Sequence, residues 1–366
     1  MSVTTKAQSS SQSTNNYNNN SLWKEILLPF VATLNVPPYS MLVWFTVYLL
    51  LLLTASSLYL QTALVGYWLY CILETRTAQA TQQPALIRYM QNHLGRLWFV
   101  KWTAEYFQTR LIKTIDLPPS STYIFSYHPH GVISMGASLA LTTNGCDFDQ
   151  VFPGIRRVCA TLNVTFWAPI YRHWMLWLGC CSANKATLVG RLKNHESLVL
   201  IPGGAVEALH AHPQTFVVAI QNRYGFLRLA RETGAKPVPV LGFGENDVFQ
   251  TIYHGKQQHQ LGNKTTSTNA TTDNTNDDDD NEFKGHSMLW KLQHRLYKYL
   301  TFSIPLWFHL VPKNDIPLTV VVGAPVEFPP HATLEECHAQ YLQAVRDLYE
   351  SHQHRYGYQH VPLVFV

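Results

Sequence analysis

No Asp, Glu, Lys or Arg occurs between residues 26 and 73, and this uncharged run constrains the chain more than any other feature. Its densest part, residues 41–60, is almost purely apolar. About 20 such residues cross the hydrocarbon core of a bilayer as a helix. The run therefore holds one span, or two if residues 64–73 form a short returning leg with Gln61, Thr62 and Gly66 near the turn. Basic residues flank it on both sides, Lys6 and Lys24 before and Arg76, Arg88, Arg96 and Lys101 after. Lys and Arg collect on the cytosolic side of membranes, which favours a membrane-embedded hairpin over residues 23–75 with both termini cytosolic. A buried core helix is the competing reading, and a run of this length speaks against it.

Composition agrees with surface that faces something other than water. Charged residues are 14% of the chain, well under the usual quarter. The formal net charge of +4 suits a membrane face or a phosphate-bearing ligand and is too small and dispersed for nucleic acid. Cys71, Cys146, Cys159, Cys180, Cys181 and Cys337 show no CxxC pairing, so reduced thiols are expected. The sequons at Asn163, Asn263 and Asn269 then carry no message. Residues 1–22 are polar and rich in Ser, Asn and Gln, and residues 263–282 form a Thr/Asn/Asp insert ending in four consecutive Asp. Neither has apolar surface to bury, so both read as disordered. A calcium loop needs spaced acids and a Gly, which the insert lacks.

From residue 95 to 366 strand-like and helix-like segments alternate. Strands are expected at 121–127, 197–201, 215–220, 237–243 and 318–322, and helices at 132–141, 167–178, 186–194, 225–233, 286–300 and 334–352. The last opens on Thr333 and Glu336 in capping-box spacing. Such alternation predicts an α/β domain, a mixed sheet flanked by helices. The segment 286–300 carries a leucine stripe with Lys291, Arg295 and Lys298 largely off it, which suits either the sheet or an anionic lipid surface.

The most pointed chemistry is Tyr-His-Pro-His-Gly at 127–131, between a strand and a helix. Residues i and i+2 of an extended segment share a face, and Pro129 biases His128 toward extended backbone. Both imidazoles are therefore expected to reach one site, with Gly131 permitting a sharp turn. A helix starting near Val132 would keep a histidine neutral, and its free N–H groups could hold an oxyanion. Two histidines in an ordinary turn remain the alternative. A lipase elbow fails because Val132 stands where Gly-x-Ser-x-Gly needs its first Gly before Ser134. His128, His130, His210 and His212 could hold a metal, but no HExxH or cysteine cluster supports one.

Further blocks accompany this motif. They are Tyr-Ile-Phe-Ser-Tyr-His-Pro-His-Gly at 123–131, Phe-Pro-Gly-Ile-Arg at 152–156, Ala-Thr-Leu at 160–162 and Pro-Gly-Gly-Ala-Val-Glu at 202–207. Asn-Arg-Tyr-Gly-Phe at 222–226, Phe-Gly-Glu-Asn-Asp at 243–247 and Thr-Val-Val-Val-Gly at 319–323 follow. With these blocks in this order, residues 102–356 resemble the type-2 diacylglycerol acyltransferase family, which includes monoacylglycerol and wax-ester-forming members. The resemblance implies a glycerolipid-acyltransferase-like fold and an acyl-CoA-dependent O-acyltransferase that makes triacylglycerol from diacylglycerol by direct transfer. It implies acyl-CoA as co-substrate with no other cofactor and no metal, diacylglycerol and membrane lipid as partners, and an endoplasmic reticulum membrane location with lipid droplets. Homo-oligomerisation stays open, and so does a monoacylglycerol or fatty-alcohol acceptor. A non-catalytic lipid-binding protein would explain the hairpin but not the histidines.

By the same resemblance the histidine pair is catalytic. Plant members carry Glu-Pro-His-Ser here, so His130 is the expected base and His128 its support. The His-x4-Asp spacing of glycerolipid acyltransferases is missing, since Ile133 and Met135 stand at the acid positions. Glu207 is the candidate orienting acid. Pro129, Gly131, Gly203, Gly204, Asn222, Arg223, Glu245 and Asn246 are expected at or near bound substrate. Arg156, Arg157, Arg172, Arg191, Lys193, Arg223 and Arg228 are the cations available to CoA phosphates. The chain departs from the family at Gln108 and at Arg172-His173-Trp174.

Overall fold

The computed structural model describes residues 37–251, 315–329 and 331–366. The polar tail, the acidic insert and the amphipathic segment 286–300 lie outside the described residues. Helices Pro37–Thr54 (α1) and Leu58–Leu73 (α2) run back to back. Phe45 and Tyr48 meet Trp68, and the Tyr48 hydroxyl donates to the Leu64 carbonyl. The chain reverses at Ala55–Ser57 rather than at 61–66. Serine competes for backbone hydrogen bonds and weakens a helix, and the Gln61 side chain closes the turn on the Ala55 carbonyl at 2.9 Å. Gln61, Thr62 and Gly66 instead fall inside α2. The apolar block 41–60 is thus divided, and among the described residues no helix is long and apolar enough to cross a membrane.

The pair is fastened to the rest of the chain by helix Tyr171–Trp177 (α5). Arg172 is buried, bonds the Glu74 carboxylate, and reaches the carbonyls of Cys71 and Phe166 at 3.3 and 3.2 Å. Tyr67 bonds His173 Nδ1 at 3.1 Å and accepts from Ile170 N at 3.0 Å. Arg172 is therefore engaged in fastening the helical pair, by Glu74 and two backbone carbonyls. Helices Ala85–Leu94 (α3) and Trp98–Tyr106 (α4) lead on into the sheet.

Seven strands form a mixed sheet. They are Arg110–Lys113 (β1), Tyr123–His128 (β2), Arg157–Thr161 (β3), Cys180–Ser182 (β4), Ser197–Leu200 (β5), Lys236–Phe243 (β7) and Thr319–Val322 (β8). Their order is β1-β8-β7-β2-β5-β3-β4, with β7 and β8 antiparallel and the other pairs parallel. Phe216–Val218 (β6) and Leu363–Phe365 (β9) pair separately. Helices Lys185–Lys193 (α6), Gly204–Leu209 (α7), Gly225–Thr233 (α8) and Leu334–His352 (α9) complete the layers. The expected capping box is present on α9.

Strand β2 lies at the centre and is buried throughout. Alternate side chains of a strand point to opposite faces. Tyr123, Phe125 and Tyr127 accordingly pack on Phe148, Phe152 and Val240, while Ile124 packs with Leu198, Leu241 and Tyr341. The same alternation carries His128 to the Ile124–Ser126 face. All six cysteines are free thiols.

Candidate active site

Strand β2 ends at His128, and the His128–Pro129 peptide is cis. Beneath this turn stands Glu207, 1% exposed, on α7. Its Oε1 accepts from His128 Nδ1 at 3.0 Å and from Ala219 N at 2.9 Å, and its Oε2 accepts from His130 N at 2.6 Å. A carboxylate buried this deeply needs such donors. The Gly-Gly turn before α7 makes the approach feasible, since a Cβ at Gly203 would sit 2.0 Å from the Glu207 carboxyl. Glu207 is thus no solvated helix-start acid. It orients the His128 ring and the backbone of His130, and it reaches the His130 ring through its charge and not through a hydrogen bond.

The turn after His130 differs from its expectation. Residues 131–134 form a turn with Gly131 and Ser134 at φ +57° and +55°, and a π-helical turn, Ala137–Thr142, follows. Three of the amides in this turn are occupied, with Ser134 N donating to the His130 carbonyl at 2.8 Å. Met135 N and Gly136 N each donate to Glu245 at 2.8 Å, and the Tyr127 hydroxyl donates to it as well. Burial raises the Glu245 carboxyl to about 7, against the lowering effect of those bonds. A Cβ at Gly131 would meet Glu245 Cγ at 2.7 Å, so Gly131 serves this packing.

His130 alone of the pair faces open space. Its Nδ1 lies 3.0 Å from the Gly131 carbonyl. A carbonyl can only accept, so Nδ1 carries the proton and Nε2 keeps its lone pair. Burial pulls the ring below its ordinary 6.5, partly countered by the Gly131 carbonyl and the Glu207 charge, so the ring is neutral near pH 7. Two cavities meet at this ring. The larger, about 540 Å³, runs past Thr161, Pro202, Gly204, Arg223 and Phe226. The smaller, about 200 Å³, runs past Ala137, Cys159, Trp174 and Leu178 to Ser40 of α1. Helix α1 therefore contributes to the wall of the smaller cavity.

The expected residues separate into three groups. His130, Gly204 and Arg223 line the large cavity. His128, Pro129, Glu207 and Gly203 support the turn from below, and His128 is fully buried with Nε2 lacking any partner. Both imidazoles do not share one open site, because the turn at Pro129 redirects the chain between them. Gly131 and Glu245 brace the exit of the loop instead of lining either cavity. Asn246 is buried and donates to the Thr215 carbonyl at 3.0 Å, and Asn222 is exposed outside both linings. Among the described residues no three His, Cys, Asp or Glu side chains gather as a metal site. Sequence reasoning missed the second cavity, whose lining comes from four separate segments that no local pattern joins.

The sequence has relatives among known proteins. The family model for diacylglycerol acyltransferases matches residues 52–268 and 279–366. Diacylglycerol O-acyltransferase 2A of Umbelopsis ramanniana is 32% identical over 290 residues, 74% of this chain and 72% of its own. Human 2-acylglycerol O-acyltransferase 1 is 32% identical over 282 residues, 71% of this chain and 75% of its own. Among solved structures, the 1-acyl-sn-glycerophosphate acyltransferase PlsC of Thermotoga maritima aligns over 85% of this chain and 97% of its own. Identity there is 11% and the TM-score 0.38, too low to carry an argument. On the family match and the curated relatives, the chain belongs to the diacylglycerol acyltransferase family and is an acyltransferase.

Proposed function

We propose that this enzyme transfers a fatty acyl group from acyl-CoA to the free hydroxyl of diacylglycerol, forming triacylglycerol. The observation that carries the reading is His130, neutral, with Nε2 as proton acceptor at the meeting of two cavities. Nε2 removes the hydroxyl proton as the oxygen attacks the thioester carbonyl. The new C–O bond forms, the C–S bond breaks, and CoA leaves as thiolate and takes back the proton. Glu207 holds the loop, and Arg223 meets CoA phosphate at the mouth of the large cavity. Trapping an acylated Cys or Ser on the productive path would overturn direct transfer.

A positioned general base is worth about 10² to 10⁴ in rate. Replacing His130 by Ala should cost that much while membrane content stays normal, and His128→Ala should cost less. Near-wild-type rates for both variants would remove the pair from the mechanism. Arg223→Ala should raise KM for acyl-CoA more than it lowers kcat. Expression in cells lacking neutral-lipid synthesis reads the acceptor directly. Return of triacylglycerol supports diacylglycerol, whereas diacylglycerol accumulation alone favours the monoacylglycerol acceptor named for the human relative.

The uncharged run and the exposed leucines of α1 and α2 support a hairpin anchor near residues 41–73, and the family resemblance implies the endoplasmic reticulum membrane with partition to lipid droplets. Both termini face the cytosol in this reading. Protease protection of the C-terminal half in sealed microsomes would contradict it.

A further inference from the structure

His130 follows the C-terminal end of β2, and β3 and β5 run parallel to that chain of strands. At the opposite end, where β3 and β5 begin, a cavity of about 350 Å³ opens beside α3. Four arginines line it: Arg88, Arg96, Arg156 and Arg157. Two carboxylates, Asp149 and Glu196, face them, and Glu196 is already held at 2.8 Å by the buried Arg191. Guanidinium charge is therefore in excess.

The four are not equivalent. Arg157 is committed to the fold, bonding Asp149 at 2.7 Å, the Thr143 carbonyl at 2.8 Å and the Leu141 carbonyl, with its guanidinium 3.9 Å over Phe148. Arg96 takes the other oxygen of Asp149 at 2.7 Å, and Arg156 donates to the Asn194 and His195 carbonyls at 2.9 and 3.3 Å. Arg88 reaches the Gln83 carbonyl at 3.1 Å and stands 3.8 Å from Glu196. Its Nε is buried and has no acceptor. A buried donor left open is a cost that a ligand oxygen would remove, and arginine forks fit phosphate oxygens.

A second observation points to where such a phosphate comes from. Leu86 and Tyr89 on α3 and Trp98 and Trp102 on α4 are exposed, with the two indoles 4.6 Å apart. Tyrosine and tryptophan in this state suit the level of lipid headgroups. We propose that the Arg88–Arg96–Arg156 cavity is a headgroup site for an anionic phospholipid, with these four side chains lying in the adjoining interface. The site is remote from His130 and does not rest on the acyl-transfer reading.

Native mass spectrometry of the full-length protein in neutral detergent tests it, with short-chain phosphatidylglycerol as probe and phosphatidylcholine as control. Wild type should retain one phosphatidylglycerol and little phosphatidylcholine. Arg88→Gln with Arg156→Gln should weaken retention at least tenfold, while Arg346→Gln with Arg355→Gln, which removes equal charge elsewhere, should not. Where the double variant fails to fold, Arg88→Gln alone should still weaken retention severalfold at unchanged Tm. Equal retention of both lipids, or retention untouched by Arg88→Gln, overturns the proposal. Displacement by equimolar inorganic phosphate or CoA would also overturn it, by assigning the cavity to a soluble phosphate.

Discussion

Two buried carboxylates hold the two ends of one loop, and they do so in different ways. Glu207 fixes the entry, through His128 Nδ1 and the amides of His130 and Ala219. Glu245 fixes the exit, through the Tyr127 hydroxyl and the amides of Met135 and Gly136. Both are 1% exposed. Yet Glu207 bonds an imidazole and its charge raises the His130 ring, whereas Glu245 bonds a phenol and two backbone amides. Equal burial therefore does not mean an equal role. Glu207 holds the loop entry and places its charge near the His130 ring, and Glu245 holds the loop exit.

Removing the two acids should break the symmetry. Glu207→Ala strips three buried donors of their acceptor, and each unsatisfied group costs about 1–3 kcal/mol. Activity should fall roughly as far as in His130→Ala, within the 10² to 10⁴ range of a lost base, and the Tm should drop. Glu245→Ala also strips three donors, so its Tm loss should be similar while residual activity per folded molecule stays higher. Steady-state kinetics beside thermal unfolding separates these, and equal kcat/KM losses in both variants would erase the distinction.

A finer cut comes from pH. The Glu207 charge raises the His130 ring, against the larger lowering by burial. The acid limb of kcat/KM should therefore lie below 6.5 in the wild type, with activity flat through pH 7. In Glu207→Gln the raising charge is gone, so the limb should move further toward acid. Glu245→Gln should leave the limb in place. A limb that shifts equally in both variants would mean that the loop's position, and not Glu207's charge, governs the ring.

Much of this was legible in the sequence because it is local. The five expected strands all formed, and the extended run 123–128 with its histidines marked the loop correctly. Strands β1, β3, β4 and β9 were missed, β1 and β3 because charged or polar ends leave only two or three apolar residues in each, and β4 and β9 because three residues carry no period. The choice of His130 over His128 came from family resemblance. The geometry that separates the two rings, one buried on Glu207 and the other facing two cavities, depends on a turn whose direction no spacing encodes. Glu207 was legible as a partner because a Gly-Gly turn preceded it. Glu245 was legible only as a polar residue in a block, since its contacts reach back across more than a hundred residues of chain.

The smallest expected effect lies with Glu245 itself. Its folded carboxyl titrates at about 7, raised from 4.5 mainly by burial. A raised value means that the folded protein holds a proton the unfolded chain has lost. Stability from this group is thus complete below about 4.5 and declines as pH rises toward 7, by at most about 1.4 kcal/mol per pH unit. Glu245→Gln carries an amide that does not titrate, so comparing it with wild type cancels every other group. The wild-type Tm, taken relative to the variant, should fall between pH 5 and 7 and level off above. Activity of the variant should change little, because Gln still accepts through one oxygen at the loop exit. Should the two Tm curves stay parallel across that window, Glu245 is ionised throughout, and the three donors around it outweigh its burial.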